Sequence, residues 1–306
     1  MGNQFKSALL GFFICVILVR TDGMAQQESR YPDSPDKSKL RYVTLGMAAT
    51  YGITMTGLYQ LWYKNYPMTT FRFFNDSKDW LQMDKAGHAY STYLLGDLTY
   101  GVFRNTGLSN KKAAIYGALT GWIAVTSVEF FDAHYEGWGF SWADVGANTL
   151  GTALFTGQQL AWSEQRLLLK YSFRTTTYPQ YRPSTLGSNF IEESVKDYNG
   201  QSYWLSANLK SFARWEFLPD WLNLAVGYSA AGLLGGSENP EFDKGARLPH
   251  FERERQFYLS PDIDFTKIPT KHKGIRVLFK VLNAFKLPAP ALRLQDGNVR
   301  FLGIYH

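Results

Sequence analysis

The hydrophobic period of this chain changes between residues 170 and 201, and that change limits the fold more than any other feature. Up to about Lys170, apolar residues recur at spacings of three and four, as a helix with one buried stripe requires. Beyond residue 201 the period is two: Leu222, Leu224, Val226 and Tyr228, then Phe257, Leu259, Ile263 and Phe265. Alternation of that kind belongs to strands with unlike faces. The expected fold is therefore α+β, with an N-terminal antiparallel helical bundle over 40–170. A strand-rich C-terminal region over 171–306 should follow, holding one amphipathic helix near 273–286.

Four helices are expected in the first region. Val43 to Tyr63 carries no charge and is read as either buried or lying in a membrane. The others should run from about Asp84 to Arg104, Asn110 to Asp132 and Ser141 to Gln165, with short connections that make neighbours antiparallel. Residues 174–201 read as a long loop ending in the turn signal Asp197-Tyr198-Asn199-Gly200, and Asp296-Gly297 as the turn of a terminal hairpin. About half a dozen strands are too few for a closed outer-membrane barrel, so the sheet should pack on the bundle or lie against a membrane.

The N-terminus has the form of an export signal. Lys6 precedes an apolar run from Ala8 to Val19, and Gly23-Met24-Ala25 is a small-x-small site. Cleavage is expected after Ala25, leaving a flexible leader over 26–39. The single cysteine, Cys15, lies inside the apolar run and should leave with it, so no lipidation is expected and the mature chain has no cysteine. The 306 residues are 45% hydrophobic and only 19% charged, which excludes a disordered chain. Mean hydropathy of −0.24 disfavours a protein built mostly of spanning helices. The net charge of +6 comes from scattered residues, without a nucleic-acid-binding signature. No nucleic-acid partner is expected; membrane lipid or an envelope protein is.

The residues that carry chemistry lie on the last three helices. Asp84, His88, Ser91, Leu95, Leu98 and Val102 form one stripe; Ile115, Ala118, Trp122, Val125 and Glu129 form another, with Asp132 a turn beyond its apolar part. Asp144, Asn148, Gly151 and Phe155 share a face of the last helix. In an antiparallel bundle the polar ends of these stripes reach one level. Asp84, Lys85, His88, Ser91, Glu129, Asp132, Ser141, Asp144 and Asn148 are thus expected to form a polar cluster. Bland accounts exist for most: Asp84 at a helix N-terminus, Ser141 and Asp144 as a capping box, Asn148 as a satisfied buried amide. Glu129 and Asp132 resist them, because carboxylates near a helix C-terminus oppose its dipole. Lys85 and His88 are their expected partners.

Three uses are open. His88, Glu129, Asp132 and Asp144 could hold a divalent metal, the one cofactor considered; the same four could act as general acid and base; or the cluster could be a structural ion-pair network. None of the standard catalytic motifs occurs.

At these residues the chain resembles a known family. Asp84-Lys85-x-x-His88, Glu129-x-x-Asp132 and Gly139-Phe140-Ser141-Trp142-x-Asp144-x-x-x-Asn148-x-x-Gly151 look like the YfiM-like domain of unknown function, over about residues 40–170. The stretch from Asp197 to Ser206 is similar to long versions found in Bacteroidetes-type bacteria. The same motifs are more distantly similar to VanZ-like helical membrane proteins. The resemblance implies an exported protein of the periplasm or outer membrane of a Gram-negative bacterium, and no established reaction. Its lipoprotein label does not transfer, since Cys15 is unsuited to lipidation. Three functions follow: an envelope scaffold or partner-binding protein rather than an enzyme; a metal-dependent or acid–base hydrolase of lipid or cell-wall material, acting through Asp84, His88, Glu129, Asp132 and Asp144; or a small-ligand binder.

Overall fold

The structure, a computed structural model, describes residues 34–64, 66–213 and 215–305. The expected signal peptide and most of the leader fall outside them. The fold is α+β. By contacts the chain divides into two compact units. One comprises residues up to Asn75, Ser91–Gln165 and Thr270–Leu278; the other comprises Asp76–Tyr90, Arg166–Pro269 and Phe279–His306.

The first unit is a helical bundle. Its helices are α1 (Lys37–Leu58), most of α2 (Met83–Arg104), α3 (Asn110–Asp132) and α4 (Trp142–Trp162). Asp36 caps α1 by accepting from the Ser38 and Lys39 amides, so the helix starts inside the expected leader. A π-turn at Tyr59–Tyr63 ends it. No residue of α1 is buried, against the buried alternative; Tyr42, Leu45 and Ile53 stand exposed.

The buried face of α3 differs from the expected stripe. It runs through Ala114, Gly117, Ala118, Gly121, Thr126 and Glu129, while Ile115, Trp122 and Val125 are only half-buried. The reason is close approach. A Cβ on Gly117 would lie 2.6 Å from the Tyr100 amide nitrogen and 2.8 Å from the Gly96 carbonyl oxygen of α2. Small residues on α3 therefore replace the expected large ones. Phe155 of α4 fills the space beside Gly96 and Tyr100 and is fully buried. The face Asp144, Asn148, Gly151 and Phe155 is buried as expected.

The second unit is built on one six-stranded antiparallel sheet in chain order: β1 (Leu167–Phe173), β2 (Gln201–Asn208), β3 (Leu222–Ala231), β4 (Glu254–Ile263), β5 (Ala289–Gln295) and β6 (Asn298–Tyr305). The first strand begins before the expected change of period, because Leu167 to Phe173 alternates within an apolar-looking run. The expected loop over 174–201 contains two short helices, Pro183–Leu186 and Phe190–Lys196. Another short helix, Leu209–Ala213, follows β2. The amphipathic helix appears as α5 (Lys273–Leu282). Asp296 and Gly297 turn the terminal hairpin with φ of 47° and 75°, the left-handed pair that a two-residue turn between twisted strands requires.

Polarity across this sheet is inverted relative to a soluble sheet. One row crosses all six strands as Leu169, Leu205, Val226, Leu259, Leu292 and Phe301. The next row on that face is Tyr171, Tyr203, Tyr228, Phe257, Leu294 and Val299. The opposite face carries Lys170, Ser206, Asn223, Ser260 and Asp262, all buried. These surround an aromatic hub of Trp204, Tyr258 and Tyr305. Gly227 is required beneath Trp204, since a Cβ there would lie 2.6 Å from the indole. The sheet curls enough for Ser202 on β2 to reach the Tyr305 hydroxyl at 2.8 Å. The outer edge of β1 is covered by the segment ahead of β5, through hydrogen bonds from Tyr171 N to Ala284 O and Lys286 N to Tyr171 O.

The turn before β2 is tied by Asp197. This buried carboxylate accepts from the Asn199 amide at 3.1 Å and side chain at 2.7 Å, and from the Thr176 hydroxyl. Burial raises its pKa above the usual carboxylate range, although these hydrogen bonds pull against it. The folded state then binds this proton more tightly than the unfolded state. Its contribution is most favourable below the unfolded pKa of about 3.9 and is lost as pH rises through the higher folded value. Asp197→Asn should flatten that part of the pH profile, read as a smaller difference in melting temperature between acid and neutral pH than in the unmodified protein.

Candidate functional site

Within the bundle, α3 and α4 bring four of the expected residues together. Glu129 is 1% exposed, and its Oε2 accepts a hydrogen bond from the Ser141 amide at 3.2 Å. Ser141 is the N-cap of α4, where its Oγ accepts from the Asp144 amide at 3.0 Å. Asp144 is buried in the first turn of α4. In a complete capping box the third residue of the helix would accept the Ser141 amide; here Glu129 on the preceding helix accepts it. A turn further along, Asn148 donates to the Thr126 hydroxyl at 3.2 Å.

This arrangement explains why Glu129 tolerates the C-terminal end of its own helix. Its carboxylate meets the N-terminus of α4, where unpaired amides and the helix dipole favour negative charge. Asp132 solves the same problem differently. Its Oδ1 accepts from the Tyr63 hydroxyl at 2.5 Å, and Tyr63 is itself buried against Tyr135, Phe131 and Trp138. Burial, then the Asp132 charge, raises the Tyr63 pKa, so this phenol keeps its proton and donates it to Asp132 in a hydrogen bond. Tyr63 was missed in the sequence because it closes an uncharged, largely apolar run, where a tyrosine reads as packing. Ser91 lies half-buried on α2 in the same unit.

In the second unit, the first turns of α2 carry Asp84, Lys85 and His88, all half-buried. The Lys85 ammonium lies 2.8 Å from Asp84 and 2.8 Å from Asp76. Asp76 was not singled out in the sequence, since it precedes the helix in a stretch without periodicity. The backbone just ahead of the helix is strained: Trp80, Leu81 and Gln82 have φ of 50°, 51° and 65°. Non-glycine residues in this region cost about 1–2 kcal/mol each, and three in succession persist only where surroundings over-determine them. Here the Trp80 amide donates to Gly236 O, the Tyr228 hydroxyl to Leu81 O, and Arg255 to the Gln82 side chain. Met83 is fully buried beside Ala230 and Leu233.

Over residues 72–157 the chain matches a family described as predicted periplasmic lipoproteins, DUF2279. No curated protein and no solved structure matches. The matched region takes in every residue of the expected cluster, from Asp84 to Asn148. That description, with the export signal expected at the N-terminus, makes this an exported protein of the periplasm or cell envelope. It names no reaction, and the YfiM-like and VanZ-like resemblances rest on their motifs alone.

Proposed function

We propose that the protein is a scaffold or partner-binding component of the envelope that works in contact with membrane lipid. The observation that carries this reading is the exterior of the bundle. Among the described residues, α3 is the one helix long and apolar enough to cross a membrane, and it exposes Tyr116, Leu119, Ile123 and Phe130. Phe71, Phe73 and Trp142 add exposed rings near its C-terminal end. Aromatic rings with apolar surroundings suit the boundary between lipid tails and water. The test is flotation of the purified protein with vesicles of phosphatidylethanolamine and phosphatidylglycerol. Flotation with the vesicles is expected; protein that stays monodisperse at the bottom of the gradient refutes lipid contact.

A second reading, an envelope hydrolase using metal or acid–base chemistry, is favoured by the burial of both Glu129 and Asp144. Glu129→Gln separates the two. As a cap on α4, the variant should lose about 1–2 kcal/mol of stability by denaturant titration, because it keeps the hydrogen-bond acceptor and loses the charge facing the dipole. Elemental analysis should find no stoichiometric divalent metal in either protein. A hydrolase would instead show bound metal or activity lost in the variant, with the stability intact.

A further inference from the structure

We propose that the outward face of the six-stranded sheet is itself seated in bilayer hydrocarbon, a deepening that rests on the reading of a lipid-contacting protein. The argument starts from inverted polarity. In water, a sheet with one solvated face places its polar residues on that face. Here the central row from Leu169 to Phe301 contains no charged residue, and Leu205, Val226, Leu259, Leu292 and Phe301 are each exposed. On the same face Tyr171, Tyr203 and Tyr228 are covered by Leu81 and Tyr90, and Arg255 marks the end of β4. Val226 and Phe301 are 54% and 67% exposed. Lys170, Ser206, Asn223 and Asp262 face inward, where Lys170 pairs with Asp262 and Ser206 with both Asp262 and Asn223. An apolar exterior around a hydrogen-bonded polar interior is the arrangement that lipid selects.

Dimensions agree. The strands of β3 and β4 have ten residues each, the length a tilted strand needs to cross the hydrocarbon layer. At the β2–β3 turn, Phe212, Trp215, Phe217 and Trp221 are exposed, with Lys210 beside them. Rings backed by a basic residue fit the headgroup level at one end of such strands. The interior is filled by Trp204, Tyr258 and Tyr305, so the sheet serves as an anchor and not as a pore. On the outer edge of β1, the Tyr171 amide and carbonyl are paired with the 284–286 segment, so that lipid need not satisfy them.

The experiment uses the full chain with Cys15→Ser and one new cysteine at a time: Val226→Cys, Leu259→Cys or Phe301→Cys. Leu205→Cys and Leu294→Cys serve should one of these fail to fold. Each carries a nitroxide label in the vesicles used for flotation, and its relaxation is read with oxygen and with a water-soluble nickel chelate. Lys244→Cys, in an exposed turn between two short strands, is the aqueous reference. The outward positions should be reached by oxygen and be at least about tenfold less accessible to nickel than Lys244→Cys. Nickel access equal to the reference overturns the proposal. So does exclusion of both reagents, which marks a protein partner or second copy on this face. Protein that floats while these labels see nickel refutes the sheet anchor and leaves the bundle's lipid contact standing; protein that does not float refutes both.

Discussion

Asp262→Ala is expected to destabilise the sheet by about 3–5 kcal/mol, the largest single effect on this chain outside the bundle. The carboxylate is 3% exposed and lies 2.8 Å from the Lys170 ammonium, which is itself fully buried. It also accepts from the Ser206 hydroxyl at 2.6 Å and lies 3.9 Å from the Lys286 ammonium. Removing it takes the paired carboxylate from two cations in a closed interior, leaving Ile263 O and the nearby Asp264 charge to Lys170, and Leu287 O and the Trp204 ring to Lys286. The cost is that of a buried charge deprived of its partner and does not measure the worth of the pair. Combining Asp262→Leu with Lys170→Met should therefore recover part of the loss, because apolar groups of similar size remove one of the stranded cations. Urea unfolding at fixed detergent, followed by far-ultraviolet circular dichroism, measures both variants. A loss below about 1 kcal/mol for Asp262→Ala would show that water reaches the pair.

Gly117→Val should cost the bundle about 3 kcal/mol. The atoms that a side chain would strike are the Tyr100 amide nitrogen, the Gly96 oxygen and the Tyr100 Cα, all backbone, so no rotamer change makes room. The helices must separate, and the hydrogen bond from Thr99 Oγ1 to Gly117 O at 2.9 Å goes with the contact. The control is Gly146→Ala on α4, where nothing lies within 4 Å of the added carbon. That change should stabilise by about 0.5–1 kcal/mol, because alanine loses less entropy on entering a helix than glycine does. Opposite signs at two helical glycines would establish that α2 and α3 meet through backbone. Equal effects would refute that contact.

Much of the candidate site was legible because it depends on local spacing. Asp144 and Asn148 are one turn apart, so they share a buried face whatever the neighbours are, and Ser141 caps α4 by a rule that needs only its sequence position. The opposition of Glu129 and Asp132 to their own helix dipole was legible too. What satisfies them within the bundle was not. Two such contacts are with the Ser141 amide and the Tyr63 hydroxyl, reached through the turn into α4 and from the end of α1. A backbone amide has no sequence signature, and a tyrosine in an apolar run looks like core. The left-handed turn at Trp80–Gln82 was equally hidden, since it contains no glycine or asparagine to announce it.

The α+β order, the helix spans and the two-residue period of the strands follow from the sequence alone, because 3.6- and 2-residue periodicities are properties of a single segment. Export is read the same way, from a short N-terminal run. Which side of each pattern faces inward is a different matter. Alternation specifies two unlike faces of a strand, and only the pairing of six strands shows that Lys170, Ser206 and Asp262 close on one another while Val226, Leu259 and Phe301 are left outside. Likewise, the buried face of α3 was settled by how closely its glycines approach α2, a distance between segments that no single segment's spacing contains.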